Sequence, residues 1–327
     1  MRRLFLPFTL LILALSACDN SGSVSAPEKK VVPQDFAESY FNEEKYIHAY
    51  PNAKDSQYLS ESIGLYMEYL VLMEDEEKFA EQYDNLLNEF ITEEGEENLF
   101  VNWLIFEDAT VNALIDDIRI AAALREADKL FDQPEYSKTA DKIIGTISRI
   151  QTNNNYTVDY YDWEIESPAQ RVTLSYLISD VPENLNADRL LENVDADAVF
   201  FPEYFDVLEE VYVKNEVVHM IDQLLIAINK ERIGLSSGLF EEWLITEWEE
   251  EGRLFGRYDR ETHEPRVMYE SLAMYFYMNE YFLVIGEDEK AEEVKERATA
   301  IIETNGTAET HFFDFIHYHL MMEDDTK

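Results

Sequence analysis

Apolar side chains return at helical spacing through nearly the whole chain, and that periodicity restricts the fold more than any other feature. Ile63, Met67, Leu70 and Val71 follow Ser60 at relative spacings of zero, four, seven and eight, which puts them on one face of a helix. Phe79, Tyr83, Leu86, Leu87 and Phe90 form a second stripe, and Ile120, Ala123, Leu124, Ala127 and Leu130 a third. The same spacing predicts helices over 136–150, 168–178, 217–228, 267–285 and 291–302. Pro168 stands at the start of its segment, where a missing N–H costs a helix nothing. Strand-like alternation is scarce, with 156–161 its best candidate. Only 10 Gly and 9 Pro occur in 327 residues, about half of ordinary usage, so the chain lacks the turn formers of a many-stranded fold. No fixed-period repeat marks a solenoid. Helix pairs joined by short turns recur, as at Gly286 to Asp288, and roughly a dozen helices suit an all-α closed toroid of hairpins. Composition alone leaves a bundle or a solenoid open.

The balance of 26 basic to 69 acidic residues gives a net charge of −43. A nucleic-acid partner is excluded, because phosphate backbones need a basic face. Docking of the folded surface on anionic lipid is disfavoured for the same reason. With 13% aromatic residues the chain is not globally disordered. Its single cysteine, Cys18, permits no intramolecular disulfide. Arg2 and Arg3 precede an apolar run, 4–15, that is too short to span a bilayer and fits an export signal. The sequence Leu15-Ser16-Ala17-Cys18 resembles the lipobox of bacterial lipoproteins. That resemblance implies a signal peptide over 1–17, cleavage before Cys18 and lipidation of its sulfur. The chain would then be held at the cell membrane, facing its extracytoplasmic side; a plain secretory peptide is the other reading. Residues 19–34 are small, polar and proline-containing and read as a tether. One globular domain is predicted over 35–327.

Three segments carry the chemistry: Ser60-Glu61-Ser62-Ile63-Gly64-Leu65-Tyr66-Met67, then Ala113 to Leu124 with its Asp116-Asp117 pair, then Gly256-Arg257-Tyr258-Asp259. Their order and spacing resemble glycoside hydrolase family 8, whose fold is an (α/α)6 barrel. The resemblance implies an inverting glycosidase in which Glu61 is the general acid and Asp259 the general base, with Arg266 a looser match to a motif arginine. In the second motif Ala113, Asp117, Ile120, Ala121, Ala123, Leu124 and Ala127 fall in register, and Phe131 stands at a Trp position. Ile115 replaces the family's first aspartate there. Asp116 or Asp117 could supply that carboxylate, although neighbouring helix residues point roughly 100° apart and only one would face a given cleft. Read from the residues alone, Ser60 is an ordinary N-cap, Asp116 and Asp117 are first-turn acids, and Asp259 is a turn residue.

Inverting hydrolysis needs a protonated carboxyl and an ionised one on opposite sides of the bond, roughly 6.5–9.5 Å apart. Glu61 would need its proton held by burial or by neighbouring acids. Trp163 and Tyr161, in the cluster with Tyr156, Tyr160 and Asp162, are candidate sugar-stacking residues, as are Tyr258 and Trp243; all could equally be core aromatics. His317 and His319 point apart on a helix and suggest no zinc pair. Neither a metal nor an organic cofactor is required by this chemistry, and zincin, P-loop and serine-elbow motifs are missing.

The leading expectation is a membrane-anchored hydrolase of an extracellular polysaccharide, β-1,4-linked or of the amino-sugar kind, working beside an exopolysaccharide export complex. The acidic surface would attract cationic polymers, or would reflect a salty or alkaline exterior. A catalytically degraded accessory that binds polysaccharide is the second expectation, resting on Ile115. An all-helical interaction lipoprotein is the third.

Overall fold

A computed structural model describes residues 36–53, 56–95, 97–106, 109–178, 187–194, 197–306 and 309–323. The expected signal peptide, Cys18 and the tether lie outside the described residues. The helices among them are α1 (Ser60–Leu72), α2 (Glu76–Asn85), α3 (Leu114–Phe131), α4 (Pro134–Ile150), α5 (Ala187–Leu191), α6 (Met220–Arg232), α7 (Leu239–Glu251), α8 (Leu272–Ile285), α9 (Asp288–Asn305) and α10 (Phe312–Glu323). Burial sorts them into two layers. Nine residues of α1 are buried, around its whole circumference, and α8 likewise buries nine. In α9 only Ala291, Val294 and Ala298 are buried, a single stripe at spacings of three and four. A helix apolar all round belongs inside, and one with a single apolar stripe belongs outside.

The packing makes this a ring. Helix α1 lies against α3 and α10, α8 lies against α10 and α6, and α2, α4 and α9 pack outside α1, α3 and α8. The architecture is the all-α (α/α)6 barrel. Two apolar cores fill it, one from 156 onward and one from the first half of the chain joined by Phe312, Phe315, Ile316 and Leu320 of α10, and Phe276 and Phe313 touch both. No helix among the described residues is long and apolar enough to cross a membrane.

Between α3 and α6 the ring is closed differently from the sequence expectation. The helix predicted over 168–178 is not formed. Arg171–Thr173 pairs with Tyr204–Asp206 as an antiparallel strand, and a single 3-10 turn, Leu174–Tyr176, follows and packs on α6. The cause is competition for backbone donors. The Thr173 N–H and hydroxyl both donate to buried Asp159, at 2.6 and 2.7 Å, and the Leu174 N–H donates to the Glu203 carbonyl at 2.9 Å. Those donors are spent before a helix can start, and Val172 and Thr173 favour the extended chain. Two other helices begin later than predicted. Val217–His219 forms a ribbon with Arg257–Asp259 ahead of α6, and α8 starts at Leu272. The 156–161 segment is strand only at its ends, in Tyr156–Thr157 and Tyr161–Asp162.

Gly64 sets how closely α1 and α3 approach. A β-carbon there would sit 3.0 Å from Ile120 Cγ1. Gly64→Val adds branched bulk at this contact and should destabilise the fold by roughly 1–3 kcal/mol through overpacking. Urea unfolding measures this directly; an unchanged midpoint would show that the two helices are not in tight contact.

Candidate active site

The ring presents carboxylates at one rim. Glu61 lies in the first turn of α1, Asp116 and Asp117 in that of α3, Asp222 in that of α6 and Asp314 in that of α10. Acids are stabilised at helix N-termini, where unpaired N–H groups and the helix dipole are positive. A cleft of about 470 Å³ opens there, lined among others by Tyr50, Glu61, His219, Asp222, Tyr269 and Asp314. Tyr269 lies flat against Gly256, where any β-carbon would overlap its ring.

Glu61 keeps its proton. Its carboxyl is pushed up to about 8 from an ordinary 4.5, first by burial and then by the neighbouring Asp116 carboxylate, with Arg119 opposing. Asp116 accepts the Ser60 hydroxyl at 2.6 Å on Oδ2 and faces Arg119 Nη1 at 3.4 Å on Oδ1. Burial raises it too, but Arg119 and Ser60 pull it down. In this coupled pair the donors around Asp116 favour its ionised form, which in turn opposes ionisation of Glu61.

The structure separates the adjacent acids. Asp116 turns to Ser60 and Arg119. Asp117 turns to Asn112, which donates to its Oδ2 and also to Gln151 Oε1 at 2.6 Å. Burial holds the Asp117 carboxyl well above its ordinary value. Ile115, at the family's aspartate position, lines a separate cavity among α1, α3, α6, α8 and α10 instead of the cleft.

Asp259 is not brought into the cleft. Its Oδ1 accepts the N–H groups of Glu261 and Thr262, at 3.0 and 2.8 Å, and Arg266 grips its Oδ2. The Thr262 N–H and Arg266 hold this carboxyl down to about 2. Such a carboxylate closes a turn and has little capacity left to take a proton from water. Tyr258 also departs from the sequence expectation. It is fully buried, its hydroxyl donates to Glu247 at 2.8 Å, and the partly buried Trp243 packs edge-on against it at 5.1 Å. The Tyr258 ring is closed to a sugar. Tyr161 and Trp163 both stack on the Phe100 ring, at 5.6 and 5.0 Å. Trp163 lines a second groove of about 630 Å³ with Asn102, Phe106 and Thr110.

The residue that motif reading missed is Asp222. The Ser175 hydroxyl donates to its Oδ1 at 2.7 Å, and its Oδ2 faces His219 Nδ1 at 3.6 Å while the side chain stays 35% exposed. Asp314 is more committed, since it accepts from Ser271 and from the Ala273 N–H on one oxygen. Glu270 is gripped by Arg297 and Tyr275. Asp222 combines one anchoring bond with a partly exposed side chain, whereas Asp314 is held by two donors on a single oxygen. The signal for it was positional: like Glu61, it stands in the first turn of an inner helix. Among the described residues, no three His, Cys, Asp or Glu side chains gather closely enough to hold a metal ion.

A helical toroid with carboxylates around a cleft at one rim defines a fold of the glycoside hydrolase family 8 kind. The crystal structure of PssZ from Listeria monocytogenes is 34% identical to this chain, covers 91% of it and 98% of PssZ, and superposes with a TM-score of 0.82. The chain belongs to the family of PssZ. A Bacillus subtilis protein named "Putative lipoprotein YdaJ" is 32% identical over 232 residues, 67% of this chain and 62% of that protein; the match thus spans less than two thirds of that relative's length. An endoglucanase of Klebsiella pneumoniae, a family 8 glycosyl hydrolase, shares the fold at 14% identity, with a TM-score of 0.61 over 88% of this chain and 96% of that one. No protein-family profile matches the chain.

The proton on Glu61 has a consequence for stability. Folding lifts this carboxyl from 4.5 to about 8, so between those values only the unfolded state is ionised and stability falls as pH rises. Glu61→Gln removes this dependence. Its stability advantage over the wild type should grow by about 1.4 kcal/mol per pH unit from pH 4.5 to 8, measured by urea unfolding. A constant difference would contradict a buried, protonated Glu61.

Proposed function

We propose that this chain is a glycoside hydrolase that cuts an extracellular polysaccharide by an inverting acid/base reaction. The observation that carries the proposal is that Glu61, whose carboxyl is pushed up to about 8, shares one cleft with Asp222, whose side chain is partly exposed. Glu61 donates its proton to the glycosidic oxygen as the bond to the anomeric carbon breaks. Asp222 takes a proton from a water that attacks the opposite face of that carbon. Two sugar chains leave, one with a new reducing end, and Asp222 returns its proton to solvent while Glu61 is reprotonated. Asp116 holds the proton on Glu61 between turnovers and takes over the electrostatic place that Ile115 leaves vacant. Asp117 keeps the α3 start in position through Asn112. Asp259 serves the ribbon beside the cleft and not the reaction.

Tyr50 and Tyr269, both about half exposed, stand at the cleft as faces for pyranose rings. Trp163 and Tyr161 supply a second carbohydrate surface along the neighbouring groove. Lipidation at Cys18 would tether the domain at the outer side of the cell membrane; the lipobox-like residues support this, as does the lipoprotein name of the Bacillus relative. Anchoring keeps the cleft close to polymer leaving the cell, which suits β-1,4-linked or amino-sugar exopolysaccharide as substrate.

The test is reducing-end release from β-glucan, xylan, chitosan and amino-sugar exopolysaccharide. Glu61→Gln and Asp222→Asn should each lower kcat by roughly 10²–10⁴-fold, the usual worth of a general acid or base. The alkaline limb of kcat/KM should fall through about pH 8, where Glu61 loses its proton. Asp259→Asn should lower thermal stability more than it lowers kcat. Full turnover by Asp222→Asn would overturn the base assignment. Tight binding of one polymer without cleavage would leave the accessory reading in its place.

A further inference from the structure

Beneath the cleft a row of polar groups runs down the barrel interior. Arg119 stands one turn after Asp116 on α3, its side chain only 11% exposed, with Nη1 3.4 Å from Asp116 Oδ1. The Tyr277 hydroxyl of α8 is a second electrostatic partner of Arg119. Tyr277 in turn meets His317 Nε2 of α10 at 2.9 Å, and His317 Nδ1 lies 2.7 Å from the Phe313 carbonyl. Tyr277 is 7% exposed and His317 1%.

Elementary bonding rules fix the direction of this row. A carbonyl can only accept, so His317 Nδ1 carries a hydrogen and donates. The neutral ring then offers a lone pair at Nε2, and the Tyr277 O–H donates to it. Burial holds His317 down to about 3, so this tautomer persists across the working pH range. The Tyr277 oxygen is left with lone pairs to accept from the Arg119 guanidinium, which can only donate. Arg119 thus stands between Tyr277 and Asp116, while Ser60 donates to the other Asp116 oxygen. Every donor around Asp116 favours its ionised form.

We propose that Arg119, braced by Tyr277 and His317, is the positioning residue that assigns the single proton of the Glu61–Asp116 pair to Glu61. The proposal rests on Glu61 being the acid. Without a cation beside Asp116, two carboxyls of similar burial would share the proton, and the donor to the glycosidic oxygen would be present only part of the time. Arg119 occupies a position that the family motif leaves free, and it stands one turn from the site where this chain has Ile115. The two departures complement each other: the carboxylate moves one residue along the helix, and the arginine fixes it there.

Other charged and titratable groups facing the pair are Asp117 of α3, Tyr176, Asp314 of α10, and His219, Asp222, Glu270 and His311 around the cleft. Glu68 of α1 faces Arg119 from below. None of these is bonded to Asp116, so the charge of Arg119 acts on it most directly.

The experiment is a carboxyl ¹³C NMR titration of the domain, with Glu61 and Asp116 signals assigned from Glu61→Gln and Asp116→Asn. It needs no substrate. In the wild type, Asp116 should titrate in the lower step and Glu61 in the upper. In Arg119→Met both steps should move up by roughly 1–3 pH units, the usual effect of a lost opposite charge at this range, and the lower step should spread over both carboxyls. Arg119→Lys should return most of the shift. Tyr277→Phe removes one hydroxyl and should move both steps the same way by less; it carries the test should Arg119→Met not fold. Steps that coincide with the wild type in Arg119→Met, or that stay fixed in Tyr277→Phe, would overturn the proposal. If the wild-type chain cuts no polymer, the glycosidase reading fails while this titration still decides the role of Arg119.

Discussion

The Asp116 carboxylate ties together more of this molecule than any other single group. It joins the start of α1, through the Ser60 hydroxyl, to the first turn of α3. It draws Arg119 toward the rim and so connects the cleft to Tyr277 on α8 and His317 on α10. Four inner helices are thereby linked by polar interactions within a barrel otherwise held by apolar packing. Its charge also opposes ionisation of Glu61. One buried anion thus orders the rim and favours the protonated form of Glu61, and a cation is buried with it: an unpaired carboxylate in this setting would itself take up a proton.

Concentrating acids at one rim works against stability. Glu61, Asp116 and Asp117 are all pushed toward their neutral forms by burial. Active sites commonly keep such strained electrostatics at some cost to the fold. The counterweights are local: helix N-termini beneath the acids, a bracing arginine, and hydroxyls from Ser60, Ser175 and Ser271 that donate to Asp116, Asp222 and Asp314. The rest of the large negative charge lies mostly on outer helices such as α2, α7 and α9, whose first turns and exposed faces carry acids that water screens.

Much of this was legible in the sequence. Helical spacing located α1, α3, α4 and α9 closely, because each pattern is long and no side chain competes for the helix amides. The segment over 168–178 has similar spacing but was misread, since Asp159 and Glu203, distant in the sequence, claim its N–H groups. Glu61 and Asp116 could be found because they sit within recognisable motifs. Asp222 could not, being one of 69 acids and set apart only by lying in the first turn of an inner helix, a fact the toroid supplies. Asp259 and Tyr258 match a motif in letters, yet the ribbon beneath them turns Asp259 to Arg266 and Tyr258 to Glu247. Motif identity fixed the residue types there, while three-dimensional bonding decided what they do.

The central claim is a division of protons at neutral pH between two neighbouring carboxyls: one on Glu61 and none on Asp116. Neutron diffraction from deuterated crystals at pH 7 reads these positions directly. The expected result is a deuteron on a Glu61 oxygen, a bare carboxylate at Asp116, and a deuteron on His317 Nδ1 facing the Phe313 carbonyl. A bare Glu61 with the deuteron on Asp116 would contradict it.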